Sequence, residues 1–143
     1  KNVLGLVDAN STEIDPDTKN PIIDYLPDQY NGITMGGTLR LGLYDCNVVK
    51  GTKAYQAYQN EAIKERHRHR YEFNNNYRAK MEEHGMIVSG YNPQTNLVEI
   101  VELMDHPYFV ACQFHPEFLS RPNRPHPLFR DFIGASVKFF EKN

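Results

Sequence analysis

The spacing of apolar and polar positions changes period several times along the chain, and each change marks an element. The first seven residues are apolar until Asp8 and read as the last turns of a helix, followed by a polar turn over 8–17. Residues 21–26 form an apolar run stopped by Pro27, which predicts a strand. Asn31-Gly32 and Gly36-Gly37 frame a flexible connection into residues 38–43, Thr-Leu-Arg-Leu-Gly-Leu. That alternation predicts a half-buried strand whose one exposed cation is Arg40. A short strand at 46–49 and a short helix at 53–58 follow. Asn74 is placed to cap a helix through Tyr77, Met81 and His84, with Gly85 as its stop. Residues 86–91 and 97–103 read as two strands joined by the turn at 92–96; the second sets Leu97, Glu99, Val101 and Leu103 against Val98, Ile100 and Glu102. A last strand is predicted over 108–114. Leu128, Phe132, Ala135 and Phe139 are then spaced for one apolar face of a helix over 128–140.

A chain of 143 residues holds one sizeable core, so residues 1–143 are expected to be one domain or a large part of one. No internal repeat or linker divides it. The formal net charge of -2 gives no general pull toward nucleic acid or an acidic membrane surface. No apolar run reaches the length of a membrane span, and two cysteines without a framework point to a reducing compartment. A cytoplasmic protein is expected.

Chemistry concentrates at 110–118, Val-Ala-Cys-Gln-Phe-His-Pro-Glu-Phe. On strand parity Ala111, Gln113, His115 and Glu117 share one face, and Pro116 holds His115 extended. A carboxylate beside an imidazole accepts its N–H, fixes the tautomer and prepares the ring as a base for a nucleophile. Cys112 lies on the opposite parity and reads as a small buried residue. As a bare tripeptide, His-Pro-Glu is more often an ordinary surface pair.

The run Glu65 to Phe73 has the most unusual local composition. Parity places Arg66, Arg68 and Arg70 on one face and His67, His69 and Tyr71 on the other. A solvated surface, a phosphate contact and the start of a metal site compete here. No second basic or aromatic platform favours nucleic acid, and no further ligands at a recognisable spacing favour a metal. A metal hydrolase built on His67, His69 and His115 is the outside reading.

Four stretches together resemble one family: Asn-Ser-Thr-Glu at 10–13, Gly-Gly-Thr-Leu-Arg-Leu-Gly at 36–42, Glu-Arg-His-Arg-His-Arg-Tyr-Glu at 65–72 and Cys-Gln-Phe-His-Pro-Glu-Phe-Leu-Ser-Arg-Pro at 112–122. They resemble the C-terminal, glutamine-hydrolysing domain of the CTP synthases, which are class I glutamine amidotransferases. The resemblance implies an open α/β fold, a mixed and mostly parallel sheet with helices on both faces, of which this chain holds the C-terminal part with partly antiparallel strands. It implies a cysteine thiolate attacking the glutamine carboxamide, with His115 as base and then acid and Glu117 orienting it. By the same resemblance Glu13, Arg70 and Tyr71 hold L-glutamine, and Arg40, Arg68 and Arg70 match positions associated with the activator GTP. Ammonia would pass to a synthetase domain that binds ATP, UTP and Mg²⁺, in a parent expected to be a homotetramer.

The family's nucleophile sits in a Gly-x-Cys-x-Gly elbow, and neither Cys46 nor Cys112 has that context. The chain is therefore expected to be a fragment without the catalytic cysteine, inactive alone and poorly soluble if free. The alternative is a regulatory module with a degenerate site that senses glutamine or a nucleotide without turnover.

Overall fold

The computed structural model describes residues 1–25 and 40–142. The predicted stop at Pro27, the Asn31-Gly32 and Gly36-Gly37 connection and the first half of the Gly-Gly-Thr-Leu-Arg-Leu-Gly stretch lie outside them. Eight strands and three helices follow in the order β1 (Ala9–Ser11), β2 (Asn20–Tyr25), β3 (Arg40–Val48), α1 (Lys53–Tyr58), β4 (Ala62–His69), β5 (Tyr71–Phe73), α2 (Arg78–Glu83), β6 (Met86–Tyr91), β7 (Val98–Leu103), β8 (Val110–Cys112) and α3 (Pro127–Glu141). Short 3₁₀ turns cover Asn75–Tyr77 and Pro116–Leu119. The first seven residues form turns rather than the end of a helix.

The strands make two sheets, one of order β1-β2-β5 and one of order β4-β3-β6-β7-β8. The architecture is α/β and mixed, as expected. Within this span, however, the parallel character is confined to β1 with β2, and the other described pairings are antiparallel. Short connections such as the turn after β6 return the chain beside itself, which forces antiparallel neighbours.

Two apolar clusters form the core. Cys46, Val48, Ala54, Ala57, Ile100, Phe114 and Leu128 join the larger sheet to α1 and α3, while Phe73, Met81, Val88 and Val98 join it to β5 and α2. Gly90 sits where a Cβ would lie 2.7 Å from Ile100 Cγ1 and 3.0 Å from Cys46 Sγ, so the strands approach closely only because that position carries no side chain.

Strand β3 inverts its predicted faces. Arg40 is buried at 8% exposure, whereas Leu41 and Leu43 are 66% and 52% exposed. The inward parity of Arg40 continues through Cys46 and Val48 into the core, so burying these two aligns Arg40 inward with them. Alternation in β7 likewise conceals two buried carboxylates, Glu99 and Glu102. Glu102 accepts from the backbone N–H groups of Lys53 (2.9 Å) and Ala54 (3.1 Å), satisfying donors that helix α1 cannot satisfy within itself. Helix α3 forms as predicted and starts on Pro127, but only Leu128 of its predicted apolar face is buried. Phe132 and Phe139 remain 52% and 63% exposed. Among the described residues no helix is long and apolar enough to cross a membrane.

Candidate active site

His115 follows β8 and is pinned to β4 by its own backbone, whose N–H donates to the Arg66 carbonyl at 2.9 Å. Its backbone is held near φ -108 and ψ 88 before Pro116. The strand ends at Cys112, so His115 and Glu117 do not meet by strand parity as predicted. Pro116 opens a 3₁₀ turn instead, and that turn swings Glu117 back. His115 Nδ1 lies 2.7 Å from Glu117 Oε1. A carboxylate only accepts, so Nδ1 carries the proton and Nε2 presents a lone pair. The ring stacks on Phe118 with centroids 5.2 Å apart. The hydrogen bond from His115 holds the Glu117 carboxyl below its usual range. With side-chain exposures of 37% and 54%, the pair is open to an incoming group. An oriented imidazole with an accessible Nε2 can remove a proton from a thiol and return it to a leaving amine.

The two cysteines of the chain are poor candidates for that thiol. Cys46 is fully buried, and burial pushes its thiol up. Burial raises the Cys112 thiol to about 12, and its Sγ is directed at the Phe114 carbonyl, 3.5 Å away.

Glu13 follows β1 and Tyr71 opens β5, both of the smaller sheet, and Arg70 directly precedes Tyr71. The Tyr71 hydroxyl donates to Tyr25 at 2.8 Å, and that bond is the main cause raising Tyr71 to about 12; the Glu13 carboxylate adds to the rise and Arg70 opposes it. A carboxylate and a guanidinium are therefore both within electrostatic reach of one phenol. In β4 the predicted parity holds: Arg66 and Arg68 point outward, while His67 is buried and His69 largely so. Arg68 stands opposite Leu41 in the ladder, on the outer face.

Between the sheets runs a buried polar seam that alternation alone did not reveal. Arg40, expected to be exposed, directs Nη1 to both oxygens of Glu72 at 3.2 Å and Nη2 to Glu99 Oε1 at 2.6 Å. Its guanidinium also lies 4.6 Å from the centre of the Tyr44 ring. Burial works against its charge, yet Glu99 and Glu72 outweigh burial and keep its pKa raised. Burial pushes Glu72 up to about 7 against the pull of Arg40, and raises Glu99 as well. Burial, then the nearby Arg40, lowers His67 to about 3 and His69 to about 4, so both imidazoles are neutral.

Hydrogen-bond accounting then fixes their tautomers. The Tyr71 carbonyl only accepts, so His69 Nδ1 donates to it at 3.1 Å; His69 Nε2 must accept from His67 Nδ1 at 2.7 Å. This leaves the His67 Nε2 lone pair facing Glu99 Oε2 at 3.5 Å, both buried and without another partner among the described residues. The ring nitrogens bond to each other rather than spread around an ion, and no group of three or more potential metal ligands occurs among the described residues.

A second histidine and carboxylate pair went unpredicted. His126 Nε2 lies 2.8 Å from Glu65 Oε1, which also accepts from the Tyr58 hydroxyl at 2.7 Å. His126 Nδ1 accepts from the Leu128 N–H and so caps helix α3. The signal available in the sequence was His126 immediately before Pro127 at the start of an apolar-periodic run.

Comparison with known proteins shows the family. The profile of the family described as Glutamine amidotransferase class-I matches residues 21–135. The chain is 63% identical over 138 residues to CTP synthase of Moorella thermoacetica, and 63% identical over 142 residues to that of Bacillus velezensis. These matches cover 96% and 99% of the chain but 26% of each relative, so the chain spans about a quarter of their length. The solved glutaminase domain of Trypanosoma brucei CTPS, with bound acivicin, superposes with a TM-score of 0.87 at 34% identity, over 96% of this chain and 53% of that one. A putative GMP synthase protein from Thermoplasma acidophilum, at 20% identity and a TM-score of 0.53 over 73% of this chain and 49% of that one, shares the fold. The chain belongs to the class I glutamine amidotransferase family, within it to the amidotransferase domain of CTP synthases.

Proposed function

We propose that this chain supplies the base and the substrate-holding half of a glutamine-hydrolysing site, in a protein that uses the released ammonia to aminate UTP to CTP with ATP. The observation that carries the reading is the 2.7 Å bond between His115 Nδ1 and Glu117 Oε1, which leaves Nε2 accessible. His115 takes the proton of a cysteine thiol, the thiolate attacks the glutamine carboxamide, and His115 returns the proton to the departing ammonia. Glu117 holds the tautomer and stabilises the imidazolium. Arg70 pairs with the substrate α-carboxylate and Glu13 with its α-ammonium, while Tyr71 completes the pocket wall.

The nucleophile comes from outside these 143 residues, since Cys46 is buried, Cys112 half-buried, and burial raises both thiols. The isolated chain therefore releases no ammonia from glutamine. GTP activation draws on the outward cations Arg68 and Arg70; Arg40 is instead engaged by two buried carboxylates.

The test uses the whole protein. His115→Ala abolishes CTP formation from glutamine and leaves formation from added ammonia intact. Unchanged glutamine-dependent synthesis in that variant would refute the assignment.

A further inference from the structure

The two halves of the proposed site stand on different sheets. Tyr71 lies in β5 of the three-stranded sheet, with Arg70 the one residue between it and β4; His115 follows β8 of the five-stranded sheet. Among the described residues no strand ladder joins these sheets; the chain passes from β4 to β5 through Arg70, and the Arg40–Glu72 pair crosses the boundary. Phe73 packs against Val98 at this boundary, but beside them a cavity of about 170 Å³ remains, lined by Ile23, Phe73, Glu99 and Gln113 among others, so packing on the His115 side of the boundary is incomplete.

Gln113 spans this gap. Its backbone N–H donates to the Glu99 carbonyl at 2.8 Å, and two residues on the His115 N–H donates to Arg66, so the segment between them is clamped to the larger sheet at both ends. From that clamp the side-chain Nε2 crosses to the other sheet and donates to the Tyr71 carbonyl at 3.0 Å. The carbonyl does not need Gln113 to be satisfied, since His69 Nδ1 already donates to it at 3.1 Å. What the second bond adds is position.

We infer that Gln113 is a positioning residue for glutamine hydrolysis: its side-chain amide sets the register of the glutamine-holding strand against the loop that carries the base. The inference rests on the proposed function. Binding uses the side chains of Glu13, Arg70 and Tyr71 at or beside the smaller sheet, whereas the tie engages only the Tyr71 backbone carbonyl, so losing it leaves affinity for glutamine nearly unchanged. The chemical step needs the reacting carboxamide within reach of a nucleophile served by His115. A misplacement of about 1 Å there can cost on the order of 100-fold in rate.

The experiment compares Gln113→Leu, which keeps bulk and loses the donor, with His115→Ala in the whole protein. Glutaminase kcat and KM are measured together with labelling of the nucleophile by an electrophilic glutamine analogue. Gln113→Leu is expected to lower kcat by about 10- to 100-fold with KM within about threefold, while labelling slows but reaches full stoichiometry. If kcat stays at the wild-type value while His115→Ala is inactive, the positioning role is overturned and the functional reading survives. If the labelling stoichiometry falls in step with kcat, Gln113 serves folding alone and the inference is again overturned. Should His115→Ala retain full glutaminase activity, the functional reading itself fails, and the inference falls with it.

Discussion

Two histidine and glutamate pairs of almost equal length lie in opposite surroundings. His115 and Glu117 meet at 2.7 Å with side chains 37% and 54% exposed; His126 and Glu65 meet at 2.8 Å with both at 2%. In the first, Nδ1 is bonded and Nε2 is left open; in the second, Nδ1 caps a helix and Nε2 binds the carboxylate, so no nitrogen remains for chemistry. The same two side chains thus leave an open ring nitrogen at the surface, which the proposed function uses as a base, and make a structural clamp inside. Burial and the fate of the second ring nitrogen decide which.

The largest expected effects separate the pairs. His115→Ala is expected to lower glutamine hydrolysis by about 10²- to 10⁴-fold, as loss of a general base does. Its stability, followed by thermal melting, should change by no more than about 1 kcal/mol, because an exposed ion pair contributes little. His126→Ala leaves the buried Glu65 with the Tyr58 hydroxyl but without its imidazole partner, and should cost about 3 kcal/mol in a denaturant titration. Equal stability losses in the two variants would break the comparison.

The seam extends the contrast. Arg40→Met leaves Glu72 and Glu99 facing each other in the interior and is expected to destabilise by about 3–5 kcal/mol in the same titration. A near-neutral result would mean that the carboxylates simply take up protons.

Acid sensitivity is the next smaller effect. His67 and His69, lowered to about 3 and 4, bind no proton in the folded state between pH 6.5 and 4, whereas the unfolded chain binds one on each. Their contribution is therefore complete above pH 6.5 and lost as pH falls. Glu72, raised to about 7, works in the opposite sense between about pH 7 and its unfolded value, because there the folded state holds the extra proton. The two imidazoles outweigh Glu72 alone, and Glu99, also raised by burial, offsets them further, so the loss on acidification is at most about 1.4 kcal/mol per pH unit. Unfolding measured from pH 7 to 4.5 checks the slope, and Glu72→Gln should steepen it. Glu117→Gln, the mildest change, should leave stability unaltered and reduce glutaminase by less than His115→Ala does.

Much of this was legible in the residues. The strands β6 and β7, the helices α1 and α3 and the stop at Gly85 follow from periodicity and turn chemistry, because those depend on near neighbours in the chain. The pairing of His115 with Glu117 was also legible, although a 3₁₀ turn at Pro116 achieves it rather than an extended strand. Alternation in β3 could not say which face is inside: Leu41 and Leu43 look like core, yet Arg40 turns inward because Glu72 and Glu99 await it from two other strands. Partners 32 and 59 residues away leave no local trace. The three-stranded sheet and the tie through Gln113 were hidden for the same reason.

The central claim is that His115 activates the nucleophile. Rapid quenching of the whole protein with labelled glutamine measures formation of the covalent glutamyl intermediate directly. The account predicts that His115→Ala forms it at least about 100-fold more slowly than the wild type; formation at the wild-type rate would contradict it.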